Sequence, residues 1–134
     1  MQLTRSGEYA LRAMVHLASS ADGDIIHIWE ISKIRDVPEK FLRKIIPRLA
    51  HAGFIKTERG RDGGIALNRP AHLITILEII ECIEGPMSLN KCLVSTTECN
   101  QISHCGLHNV WKEAQDQLQQ VLRSRTLADV VDII

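Results

Sequence analysis

Three of the four cysteines in this 134-residue chain fall within one short polar stretch: Cys92, Cys99 and Cys105, separated by six and then five residues. Soft thiolates at such close spacing select iron–sulfur clusters or zinc. The N-terminus, Met1-Gln2-Leu3-Thr4-Arg5-Ser6-Gly7, has no apolar signal core. A cytoplasmic protein with reduced thiols is therefore expected, and clustered cysteines there point to metal or redox work before a structural disulfide. The fourth, Cys82, stands apart among Ile79, Ile80 and Ile83 and reads as a buried, inert thiol.

The rest of the chain must position these thiols. Its length suits one compact domain with room for a dimerisation element. No stretch approaches the roughly 20 apolar residues that span a bilayer, so no membrane role is expected. Net charge is zero but unevenly spread, about +4 over residues 1–69 and −4 over 70–134. Between residues 33 and 61 nine Lys/Arg face three Asp/Glu. That asymmetry suggests an anionic partner for the first half, or else a merely solvated helix face.

Pattern decides between the two. Residues 5–20 carry Tyr9, Ala10, Ala13, Met14 and Leu17 at helical spacing, with Thr4 or Ser6 available as a cap. Residues 27–35 predict a short helix buried along Ile28, Ile31 and Ile34, and Trp29 is odd there. After Asp36-Val37, Pro38 suits the first position of a third helix, with core positions Phe41, Leu42, Ile45, Ile46 and Leu49. Pro47 inside it predicts a kink or an early end, and Gly53 a stop. The period then changes. Residues 54–59 alternate, Gly60-Arg61-Asp62-Gly63-Gly64 turns, and Ile65-Ala66-Leu67 returns, which describes a hairpin. The turn glycines would let it approach phosphates closely.

Two close helices, a basic third helix and a hairpin make a winged helix-turn-helix. The expected class is mainly α with a small β-hairpin wing. The third helix would enter the major groove of duplex DNA, with Lys40, Arg43 and Lys44 as its contacts and Arg59 and Arg61 acting from the wing. Residues 74–84 predict a further helix, and 107–124 a long amphipathic one along Leu107, Val110, Trp111, Ala114, Leu118, Val121 and Leu122. A long amphipathic helix after a small DNA-binding unit most often mediates dimerisation, the alternative being packing on its own domain. Thr126-Leu127-Ala128-Asp129 reads as the start of a capped terminal helix. Residues 1–70 are thus the DNA-binding region and 71–134 the cysteine loop and dimerisation helices.

Taken together, Leu3-Thr4 with Tyr9-Ala10-Leu11-Arg12-Ala13-Met14, Leu49-Ala50-His51-Ala52-Gly53-Phe54-Ile55, Arg59-Gly60-Arg61-Asp62-Gly63-Gly64-Ile65-Ala66-Leu67, the cysteine triplet and Thr126-Leu127-Ala128-Asp129 resemble bacterial winged-helix regulators of the IscR/NsrR/RirA type, the Rrf2 superfamily. Many members have an aromatic where Ile65 stands. The resemblance implies a homodimer on operator DNA whose affinity depends on an iron–sulfur cluster, 2Fe–2S or 4Fe–4S, held by Cys92, Cys99 and Cys105. It also implies a fourth ligand. His108 matches the cluster-biogenesis regulators, and if Cys105 begins the long helix the two share a face. Glu8 matches the nitric-oxide sensors, where an acid is supplied across the dimer. His108 is preferred, and His104 is geometrically less suited.

Two rival chemistries use the same residues. Three cysteines and a histidine also suit zinc or thiol–disulfide sensing in a cluster-free regulator, although the tight pairs of zinc fingers are missing. A cysteine-nucleophile enzyme would need a strand–turn–helix elbow or a phosphate loop to frame the residues, and neither is present. The chain is not expected to be an enzyme.

Overall fold

The structure is a computed structural model that describes residues 3–21, 23–59, 64–88 and 106–131. Its elements in order are α1 (Arg5–Ala18), α2 (Ile28–Arg35), α3 (Glu39–His51), β1 (Ile55–Glu58), β2 (Gly64–Leu67), α4 (Ile76–Glu84) and α5 (Gly106–Ser124), with short 3-10 turns at Ala71–Leu73 and Leu127–Val130. This is the mainly helical, winged architecture expected from the sequence.

The helix ends follow their capping residues. Thr4 caps α1 by accepting from the Gly7 N–H at 3.2 Å. Thr75 caps α4 in a full capping box with Glu78. Pro38 lies one position before the helix, and Glu39 is its first residue. α3 then continues through Pro47 to His51 without the expected early end. Pro47 lies on the exposed face, so the hydrogen bond it forgoes is on the solvent side, while Leu42, Ile45, Ile46 and Leu49 bury the opposite stripe. Gly53, at φ 86°, ends the helix in a Schellman motif. The Phe54 N–H reaches the Leu49 carbonyl at 3.1 Å, and the Gly53 N–H reaches that of Ala50 at 3.0 Å.

One expected core position is corrected. Ile34 is 58% exposed, whereas Ile31 is fully buried and Ile28 half-buried. Steps of three residues fall about 60° short of a full turn each, so the third member of such a stripe leaves the buried face. Val37, placed after the left-handed Asp36, fills the core instead.

The core gathers around α1, which packs on α4, α3 and α2 through Ala10, Ala13, Met14 and Leu17. β1 and β2 pair antiparallel, with Ile55 opposite Leu67 and Thr57 opposite Ile65. Ile26 bridges to the other side of β2, exchanging two 2.8 Å hydrogen bonds with Ile65. That contact gives Gly64 a role different from the one expected. A Cβ there would meet the Ile26 carbonyl oxygen at 2.4 Å, so glycine is needed for close strand approach. The C-terminal segment docks beside the start of α4 through a Thr75–Thr126 bridge and the fully buried Leu127, as a single 3-10 turn where a helix was expected.

Candidate functional site

Two surfaces carry the predicted residues. On α3, Lys40, Arg43 and Lys44 all lie on the exposed face, three and four residues apart. Arg43 pairs with Glu39 at 2.7 Å, and both remain substantially exposed, so the pair is a weak tie. The Lys44 ammonium sits 6.0 Å from the Phe41 ring centroid. Phe41 itself meets Tyr9 edge-on at 5.5 Å, which sets the base of the helix against α1. The turn before α3 is held by Arg12, whose guanidinium donates to the Asp36 carbonyl at 3.3 Å. Arg35 donates to Nδ1 of the buried His16 at 3.0 Å, joining α2 to α1. Arg59 is exposed just beyond β1, at the root of the wing. Arg61 lies outside the described residues.

Sequence reasoning passed over Arg48. By spacing it extends the row Lys40, Lys44 by one more turn. The structure turns it back onto the protein, where its Nη2 donates to the carbonyls of Ile83 at 2.7 Å and Cys82 at 3.4 Å. The signal that could have found this is the end of α4 at Gly85, where orphan carbonyls attract a cation.

The second surface concerns the thiols. Cys92, Cys99 and Cys105 lie outside the described residues, and no group of three metal-ligating side chains occurs among the described ones. His108 is in the first turn of α5, two positions after its first residue, Gly106. Its Nδ1 is buried and, among the described residues, has no hydrogen-bond partner. A shielded imidazole nitrogen is a group that a soft or borderline metal can take as a ligand. The donor set of three thiolates plus this imidazole therefore fits an iron–sulfur cluster or zinc. Glu8 lies in the first turn of α1 and is exposed, so it remains open to a partner.

Cys82 departs from expectation. It is only half-buried and borders a groove of about 450 Å³ lined also by Pro47, Arg48, His51 and Ala52. Burial pushes its thiol pKa up, and the Arg48 charge offsets this only in part. Trp29 is 58% exposed and stacks on His27, with centroids 5.8 Å apart and planes within 10°.

α5 packs on the domain through Leu118 and Leu122, against Leu77, Ile80 and Met87. None of its residues is buried. Leu107, Val110 and Val121 are more than half exposed, and Trp111 is 37% exposed. No helix among the described residues is long and apolar enough to cross a membrane.

Comparison with known proteins agrees with this architecture. An HTH-type transcriptional regulator of Mycobacterium tuberculosis is 32% identical over 134 residues, covering 97% of this chain and 81% of the relative. The structure of CymR, the global cysteine regulator of B. subtilis, superposes with a TM-score of 0.81 at 26% identity, covering 96% of this chain and 95% of that one. T. potens IscR superposes with a TM-score of 0.74 at 28% identity, covering 96% and 85%. Residues 3–133 match the Rrf2 family, described as iron-dependent transcriptional regulator. The chain belongs to the Rrf2 family of transcriptional regulators and is not an enzyme.

Proposed function

We propose that this regulator binds an iron–sulfur cluster, acts as a homodimer on duplex operator DNA in the cytoplasm, and changes operator affinity with the state of the cluster. The observation that carries the reading is the buried Nδ1 of His108, without a hydrogen-bond partner among the described residues, on the turn that follows the cysteine triplet in sequence. Cys92, Cys99 and Cys105 would hold the group with His108 as fourth ligand, and Glu8 from a second copy is the alternative. When bound, the group supplies sensitivity to oxygen, nitric oxide or iron supply.

The chain's own residues do the rest. Lys40, Arg43 and Lys44 place cations along the exposed face of α3, suited to a major groove, while Arg59 and Arg61 would reach backbone from the wing. The exposed apolar row on α5 would be covered by a second copy. In this division, residues 1–70 read DNA, and 71–134 sense and pair.

A second reading keeps the regulator but replaces the cluster with zinc or a thiol–disulfide switch. The likeness to CymR, a cysteine regulator by its description, favours it. Anaerobic isolation separates the two. Visible absorption with matching iron and acid-labile sulfide, at twice the chain mass, is the expected result. A colourless protein containing zinc would sink the cluster. Within a coloured protein, loss of the cluster in His108→Ala but not in Glu8→Ala would assign the fourth ligand to His108.

A further inference from the structure

The last turn of α4 receives bonds from two other helices. From α3, Arg48 Nη2 donates to the Ile83 carbonyl at 2.7 Å and the Cys82 carbonyl at 3.4 Å. In return, Cys82 Sγ donates to the Arg48 carbonyl at 3.7 Å. From α1, the Thr4 N–H donates to Glu84 Oε1 at 2.6 Å, and the Thr4 hydroxyl donates to the same oxygen. Thr4 is the residue that caps α1.

These bonds answer a specific need. The final carbonyls of a helix have no partner within it, and the helix dipole makes them favourable to a cation. Water ordinarily satisfies them. Here a guanidinium from α3 does so through its Nη2, which commits that end of the side chain to the protein. The three residues Cys82, Ile83 and Glu84 thereby share an anchor between α3, the DNA-facing helix, and the first turn of α1. α3 is otherwise held by apolar contacts such as Leu42, Ile45 and Leu49, which resist separation but only weakly resist sliding or rotation. The directional bonds of Arg48 supply the missing constraint.

We infer that Arg48 is a positioning residue that sets the pose of α3 against the end of α4, and that it does not contact DNA despite continuing the Lys40–Lys44 row. The inference rests on the DNA-binding part of the reading above and is independent of which metal, if any, is bound. From this same turn the chain runs on through Gly85 toward Cys92. The anchor thus lies where α4, tied to the DNA-facing helix by hydrogen bonds, leads along the chain into the cysteine segment.

The test uses the full-length protein and two probes, the best-bound 30-base-pair duplex enriched from a randomised pool by wild-type protein and a scrambled duplex of equal length. Arg48→Met should weaken the enriched duplex by about tenfold, a loss of the size produced by one mispositioned base contact. Affinity for the scrambled duplex and the slope of log affinity against log salt should stay at wild-type values, because no phosphate contact is removed. Arg48→Lys, which keeps the charge and one donor, should recover about half of the loss on a logarithmic scale, again with unchanged slope, and serves alone if the methionine variant does not fold. A slope reduced by about 0.9 with both duplexes weakened alike would place Arg48 on a phosphate and overturn the inference. Unchanged affinity for the enriched duplex in folded variants would overturn it equally. Failure of the wild-type protein to enrich any duplex would overturn the DNA-binding reading itself.

Discussion

The clasp between α1 and α4 makes a prediction whose sign depends on one side chain. In Gly7→Ala, the added Cβ would lie 2.6 Å from Glu84 Oε1 and 2.9 Å from Leu3 Cδ1. Leu3 can move its methyl cheaply. Glu84 can withdraw only by giving up its two bonds to Thr4. A hydrogen bond to a charged group is worth about 1.5–3 kcal/mol when well shielded, and at this exposed site about 1 kcal/mol each is the appropriate figure. Alanine, against that, is favoured over glycine within a helix by about 0.8–1 kcal/mol. The loss exceeds the gain, so the variant should be destabilised by about 1 kcal/mol. In a Glu84→Ala background the obstacle is gone, and the same substitution should stabilise by about 0.8 kcal/mol. The two sites would then show a coupling of about 2 kcal/mol in a double-mutant cycle. Urea denaturation of the four proteins at one fixed protomer concentration measures it. A stabilising Gly7→Ala in the wild-type background, or the same sign in both, would refute the reasoning.

Three further predictions follow from other contacts. Gly64→Ala should destabilise by about 2 kcal/mol, because the clashing atom is backbone and relief breaks both Ile26–Ile65 bonds; a thermal melt unchanged within experimental error would contradict this. The proposed pairing through α5 predicts that Val110→Asp with Val121→Asp raises the dimer dissociation constant at least about tenfold, since each valine leaves over half its surface to be covered; sedimentation at dilution measures it, and an unchanged constant would remove α5 from the interface. Cys82 should be alkylated by iodoacetamide more slowly than free cysteine near neutral pH, and faster as pH rises, because its raised pKa leaves less thiolate; peptide mass spectrometry reads the rate, and a value at or above that of free cysteine would show that Arg48 outweighs burial.

Helix order, wing and caps were legible because they rest on local rules. Thr4 and Gly53 act where their chemistry says they should. Periodicity located the buried stripes of α1, α3 and α4, since amphipathic helices must bury one face. It misjudged Ile34, where a short three-residue repeat drifts off the face, but it carried α3 correctly past Pro47, where the proline rule suggested an early end. The cysteine triplet stood out by residue type and spacing, and His108 was put forward beside it by resemblance. That Nδ1 of His108 is shielded, with no hydrogen-bond partner among the described residues, was not legible, because shielding is a property of the folded chain.

The sequence by itself determined that this chain is a winged-helix regulator with three closely spaced cysteines. Those are statements about residue type and spacing, and spacing is preserved in one dimension. Only the tertiary structure decided what each cation does. Lys40, Lys44 and Arg48 are equivalent along the chain, yet two face solvent and the third reaches the carbonyl ends of α4. The physical reason is that unsatisfied helix carbonyls are created where α4 ends, 35 residues away from Arg48, and no pattern local to Arg48 reports that the fold brings it to them.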